Sequence, residues 1–262
     1  MRFFLLLAAA ALASAGLSYP TAVALKAADG TALAAAWGVP AKSAHGVVLV
    51  HQYGRNKEDW QFLAQELVRD GNAVIAVDLR GHGQSVGAVP RDLSPADFAA
   101  MQLDVRAAVA QLRGKGVSKF SLVGAELGAN LAINVAVDEP GVVSAVMLSP
   151  GLDYRGVIAG DSVKRYGNRP LLLVASADDA YAARSAGVLD TTAVGEHEFR
   201  LLDGAGRGTK MLNREPALQG WLVGWIKAHW SPPPPATPAP ELRSVDIRPA
   251  DLGALAPVTN PP

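Results

Sequence analysis

An α/β protein with a mostly parallel sheet and helices on both faces is what this sequence predicts, and three observations predict it. The continuous apolar runs Gly46–Val50, Ala73–Asp78, Val143–Leu148 and Leu171–Val174 have the character of strands covered on both faces. Helical spacing of apolar residues recurs between those runs, as at Trp60, Leu63, Ala64 and Leu67. Phe120–Val123 passes through Gly124 and Gly128 into a helical pattern over Asn130–Ala136, which reads as strand, sharp turn and helix. Buried strands alternating with amphipathic helices require a parallel sheet with helices packed on each side.

Taken in order, Ala22–Pro40 reads as a hairpin of two edge strands, with Ala28-Asp29-Gly30 as the turn. The Gly46–Val50 strand leads into His51-Gln52-Tyr53-Gly54, and the next strand ends in Asp78-Leu79-Arg80-Gly81-His82-Gly83-Gln84-Ser85. Ser94 and Pro95 open a helix, the serine as cap and the proline at the first helical position. Phe98, Met101, Val105, Ala108 and Leu112 mark its apolar face. After the central turn come the two later parallel strands and Phe199–Leu202. A last helix carries Leu218, Trp221, Leu222, Trp225, Ile226 and His229 on one stripe. Only one short helix fits between Leu148 and Leu171.

The two ends differ from this middle. Arg2, an apolar segment from Phe3 to Leu12 and the small residues Ala13-Ser14-Ala15 have the layout of a signal peptide over residues 1–15, which predicts export to the periplasm or beyond the cell. That apolar segment is shorter than the roughly 20 residues of a membrane-spanning helix, so no span is expected once it is cleaved. Residues 16–230 form the folded domain. Residues 231–262 open with four consecutive prolines, Pro232–Pro235, and read as an extended, disordered tail. The 24 basic and 24 acidic residues balance, which gives no electrostatic footprint for nucleic acid or an anionic membrane. With no cysteine, disulfides, thiolate metal sites and a cysteine nucleophile are excluded.

Five segments in order resemble the α/β-hydrolase superfamily, in particular its small esterases and its dienelactone-hydrolase-like and serine-peptidase-like members. They are His51–Gly54, the D-x-R-G-H-G-x-S segment Asp78–Ser85, the G-x-E-x-G turn Gly124–Gly128, the strand end Ala175–Asp178, and the loop Gly204–Thr209. The resemblance implies an α/β-hydrolase fold with a minimal cap or none. It places Glu126 at the nucleophile position, Asp178 at the acid position and Arg207 at the base position. It makes the backbone amides of Gln52, Tyr53 and Leu127 oxyanion-hole candidates, and His51 and Tyr154 cleft residues.

A serine nucleophile needs a neutral base to take its proton. Arginine has no lone pair to offer and stays protonated, so Arg207 cannot fill that role. The expectation is a degenerate site in which Glu126 and Arg207 form an ion pair, Asp178 lying on the other side of Arg207, in a protein that acts by binding a small molecule or peptide or as an accessory. The alternative is an active hydrolase of small esters that uses Glu126 as a carboxylate nucleophile, or a base elsewhere, with His51 the nearest. No cofactor is implied, and no metal, since Glu126, Asp178, Asp179 and His51 carry no ligand spacing and share their cleft with a fixed cation.

Overall fold

The computed structural model describes residues 19–40, 43–87 and 89–230. The segment 1–15, read above as a signal peptide, and the proline-rich segment 231–262, read as a disordered tail, lie outside the described residues. Eight strands form one sheet: β1 Thr21–Lys26, β2 Ala32–Gly38, β3 His45–Val50, β4 Ala73–Val77, β5 Lys119–Ala125, β6 Val142–Leu148, β9 Leu171–Ser176 and β10 His197–Leu202. The pair β7 Asp153–Tyr154 and β8 Val157–Ile158 is a separate small hairpin. The order across the large sheet is β1-β2-β4-β3-β5-β6-β9-β10, antiparallel through β1, β2 and β4 and parallel from β4 onward. The α/β-hydrolase fold expected from the sequence is the fold observed.

The apolar runs account for the middle of this sheet. Every residue of β3 and β4 is buried, which is what helices on both sides impose. On one face lie α2 (Pro95–Arg113), α3 (Leu127–Asp138) and α5 (Ala180–Thr192), whose Met101, Leu131 and Leu189 share a core with Val48, Ile75 and Leu122. On the other lie α1 (Gln61–Arg69), α6 (Lys210–Arg214) and α7 (Pro216–His229), where Leu63, Met211 and Ile226 pack on Val47, Leu49 and Val123. Ser94 caps α2 as expected, in a reciprocal capping box with Asp97. Trp60 falls in a 3-10 turn, Lys57–Trp60, ahead of α1.

One expectation needs correcting. Of the two hairpin strands β1 alone lies at an edge of the sheet; β2 is interior, because β4 pairs with it antiparallel along Ala35–Gly38. Between β6 and β9 the chain forms the β7–β8 hairpin and α4 (Gly160–Tyr166), so any cap is minimal. Among the described residues no helix is long and apolar enough to cross a membrane.

Candidate functional site

The central turn sits at the top of β5. Glu126 has φ 51° and ψ −117°, a left-handed backbone that a non-glycine residue adopts only when its surroundings impose it. The glycines on either side impose it. A Cβ on Gly124 would run into the carbonyl of Gly128 and lie 2.6 Å from the amide nitrogen of Ala129. A Cβ on Gly128 would run into the Val50 carbonyl and lie 2.5 Å from that of His51. The turn therefore presses α3 directly against the end of β3, and the Glu126 side chain is delivered to the carboxyl ends of the parallel strands, where ligands of open α/β sheets bind.

Glu126 is 8% exposed, and its carboxylate is ion-paired with Nε of Arg207. The same Nε lies 3.5 Å from Oδ2 of Asp179. The third carboxylate is thus Asp179, not Asp178 as the sequence reading placed it. Asp179 caps α5, accepting from the Ala182 amide through Oδ1, which leaves Oδ2 buried and turned to Arg207 without a hydrogen bond. Asp178 faces the other way. It accepts from the Ser176 hydroxyl and from the Gly206 amide at 3.0 Å and lies 3.5 Å from Arg214, so it holds the loop rather than the guanidinium. Burial pushes Glu126 above the usual carboxylate range, and the facing Arg207 offsets this only in part.

The Arg207 loop is anchored at each step. The Ala205 amide donates to Ser176 Oγ (2.9 Å), Gly208 to Ser149 Oγ (2.8 Å) and Thr209 to Gln52 Oε1 (2.9 Å). Thr209 Oγ1 also donates to Asp59 at 2.8 Å. Tyr154 lies beside Arg207: its hydroxyl donates to the Ser149 carbonyl and accepts from Arg207 Nη2 at 3.3 Å. Burial raises the Tyr154 phenol well above its ordinary range, so the hydroxyl stays neutral. Arg155, at φ 55° on the tip of the β7–β8 hairpin, stacks 3.8 Å over the Tyr53 ring. Among the described residues the backbone amides of Tyr53 and Leu127, both named from the sequence, donate to no protein acceptor. The Gln52 side chain is spent on Thr209.

His51 is not in the cleft, which corrects its placement as a cleft residue and reserve base. It is fully buried; Nδ1 donates to the Gln52 carbonyl (2.8 Å), and Nε2 accepts from the Leu79 amide (3.0 Å), so its lone pair is occupied. Burial lowers its pKa to about 4. His82 is likewise structural, packed 5.1 Å from His51 and bonded to the Arg80 carbonyl, within a segment held by the buried pairs Lys57–Asp78 (2.7 Å) and Arg80–Asp104 (2.6 Å). Burial also lowers His45 and His82.

A depressed histidine favours folding only while it stays neutral, so its contribution is lost as pH falls from the unfolded value of about 6.5 toward the folded one. Stability is expected to drop across that interval by about 3 kcal/mol from His51 alone. A urea-unfolding midpoint that stays flat between about pH 7 and pH 4.5 would contradict this assignment.

Residues missed in the sequence are Ser149 and Ser176. Asp179 was named there only among candidate metal ligands, not as the second carboxylate on Arg207. The serines had no signal, since they act only through contacts with a loop far along the chain.

A family model described as serine aminopeptidase, S33, matches residues 41–190. A serine hydrolase-like protein of Dictyostelium discoideum is 32% identical over 127 residues, which cover 48% of this chain and 33% of that protein. The matches to curated relatives span between 27% and 33% of those relatives' own lengths. Among solved structures, the dienelactone hydrolase of Anabaena variabilis superposes with a TM-score of 0.70 at 16% identity, covering 82% of this chain and 100% of that one. The Pyrococcus furiosus esterase Pf2001 does so with a TM-score of 0.67 at 17% identity, covering 81% and 93%. At these identities the likeness is one of fold.

Proposed function

This chain belongs to the serine aminopeptidase, S33, family of the α/β-hydrolase superfamily, and from that premise we propose that it is an exported member without serine-hydrolase chemistry that works as a binding or accessory protein. The observation that carries this reading is the ion pair of Arg207 with Glu126 and Asp179. A proton relay needs a group that can lose and regain a proton beside the nucleophile. A guanidinium cannot, and the charge it carries is already spent on two carboxylates. The histidines nearest this region, His51 and His82, are buried in the framework and depressed in pKa. Export rests on the signal-peptide pattern of residues 1–15. The ligand is a small molecule or a peptide segment, since the minimal cap leaves the mouth of the sheet open to solvent.

Family membership and the retained turn favour a second reading, an ester hydrolase with Glu126 as a carboxylate nucleophile. The two are separated by assaying short-chain aryl esters with the wild type, Glu126→Gln and the double variant Glu126→Ser/Arg207→His. The wild type is expected to match the buffer rate, and the double variant to exceed it by roughly tenfold or more, since it restores a hydroxyl and an imidazole at positions the fold already holds. Wild-type turnover that disappears in Glu126→Gln would overturn the binding-protein reading.

A further inference from the structure

The far edge of the large sheet is β10, whose outer side has no strand beside it among the described residues. Its inner hydrogen bonds fix which of its backbone groups remain open. Glu196 accepts from the Leu171 amide (3.1 Å) and Leu202 from the Ala177 amide (2.8 Å), so the even-numbered residues of β10 bond inward to β9. Those of His197, Phe199 and Leu201 therefore point outward, because successive residues of a strand alternate in direction. Apolar side chains are exposed on β10 and the segment leading into it: Leu201 (56% exposed) and Val194 on the preceding turn (52%). An open backbone edge flanked by apolar side chains is a template for another strand, and proteins normally blunt such edges.

We propose that β10 pairs antiparallel with β10 of a second copy of this chain, centred on Phe199, so that one sheet runs through both subunits. The outward-bonding residues must face one another, which permits two-fold centres at residues 198, 199 and 200. A centre at 198 sets Glu198 against Glu198, and one at 200 sets Arg200 against Arg200; both face like charges. The centre at 199 alone sets Glu198 opposite Arg200 of the other copy, twice by symmetry. His197 then exchanges backbone hydrogen bonds with Leu201, and Phe199 with its own counterpart. The charged pair falls at a non-hydrogen-bonded position, where opposed side chains come closest. Glu198 and Arg200 lie on the α7 face, already bonded within the chain at 2.8 Å, with Arg200 stacked 3.7 Å over Trp221. Both side chains remain about two-fifths exposed and can reach a partner. Charge thus selects the register, and a two-fold interface of this kind is closed, giving a dimer rather than a filament.

Sedimentation velocity on the full chain over about 1 to 100 µM tests this. The wild type is expected to show a monomer–dimer equilibrium within that range. Arg200→Glu should raise the dissociation constant by roughly tenfold or more, and Glu198→Arg/Arg200→Glu should return it close to the wild-type value. Leu201→Pro should give a monomer with a wild-type melting midpoint, since the amide it removes has no acceptor among the described residues. A wild type that is monomeric throughout overturns the proposal. So does a dimer indifferent to Arg200→Glu and Leu201→Pro, or a folded charge-swap variant that fails to recover association.

Discussion

Alanine at Gly128 is expected to leave little or no folded protein. Its Cβ would enter the space of the Val50 and His51 carbonyl oxygens, which are buried backbone atoms of the last residue of β3 and the residue after it. Such atoms cannot swing aside as a side-chain tip would. To make room, α3 has to lift off β3, and its Leu127, Leu131 and Ile133 leave a core they share with Val48 and Leu122. The expected cost exceeds about 4 kcal/mol, which for a single domain is much of the total stability. Gly220→Ala on α7 is the matched control: nothing lies within 4 Å of its added methyl, and helix propensity alone should stabilise by roughly 0.5 to 1 kcal/mol. Thermal melts followed by circular dichroism compare the two, and a Gly128→Ala melt within a degree or two of wild type would refute the steric account.

Arg207→Ala is expected to cost about 2 kcal/mol near neutral pH. Breaking a buried pair costs more than this and breaking a surface pair less; Arg207 is 44% exposed while the Glu126 side chain is only 10% exposed, which places the pair between the two. Glu126→Ala should cost less, because it removes the buried carboxylate together with its desolvation. In a double-mutant cycle the combined loss should fall short of the sum by about 1 kcal/mol, and additive losses would exclude direct coupling. The pH dependence has a definite sign. A glutamate whose folded pKa is raised opposes folding once it ionises, so its favourable contribution is lost as pH rises through the folded value. Without Arg207 that loss deepens, and the Arg207→Ala penalty should be larger near pH 7.5 than near pH 5.

The middle of the sheet was legible because its strands are apolar on both faces and local composition alone demands burial. The central turn was legible because two glycines flank a polar residue between a strand and a helix. Pairing of Glu126 with Arg207 was implied by the resemblance to α/β-hydrolases, in which the residues at these two positions touch. What could not be read depends on direction at single residues or on distant partners. Asp178 and Asp179 are adjacent carboxylates on one turn, and only the cap that Asp179 makes for α5 decides which of them faces Arg207. His51 looks like a cleft residue until the Leu79 amide, 28 positions away, is found on its free nitrogen. That β2 lies inside the sheet is a property of β4, which pairs with it from a distant part of the chain.

The backbone at Glu126 has one more consequence. Its left-handed conformation is dictated by Gly124, Gly128 and the strands beneath them, none of which depends on the identity of residue 126. Position 126 is therefore a socket: its place and outward direction are set by the neighbours, and its contents are interchangeable. The strain of roughly 1 to 3 kcal/mol that such a residue stores is incurred whichever side chain is inserted. A single codon change can thus deliver a hydroxyl, an amide or a carboxylate to the same point in space, and the chemistry of this fold can change without the fold having to move.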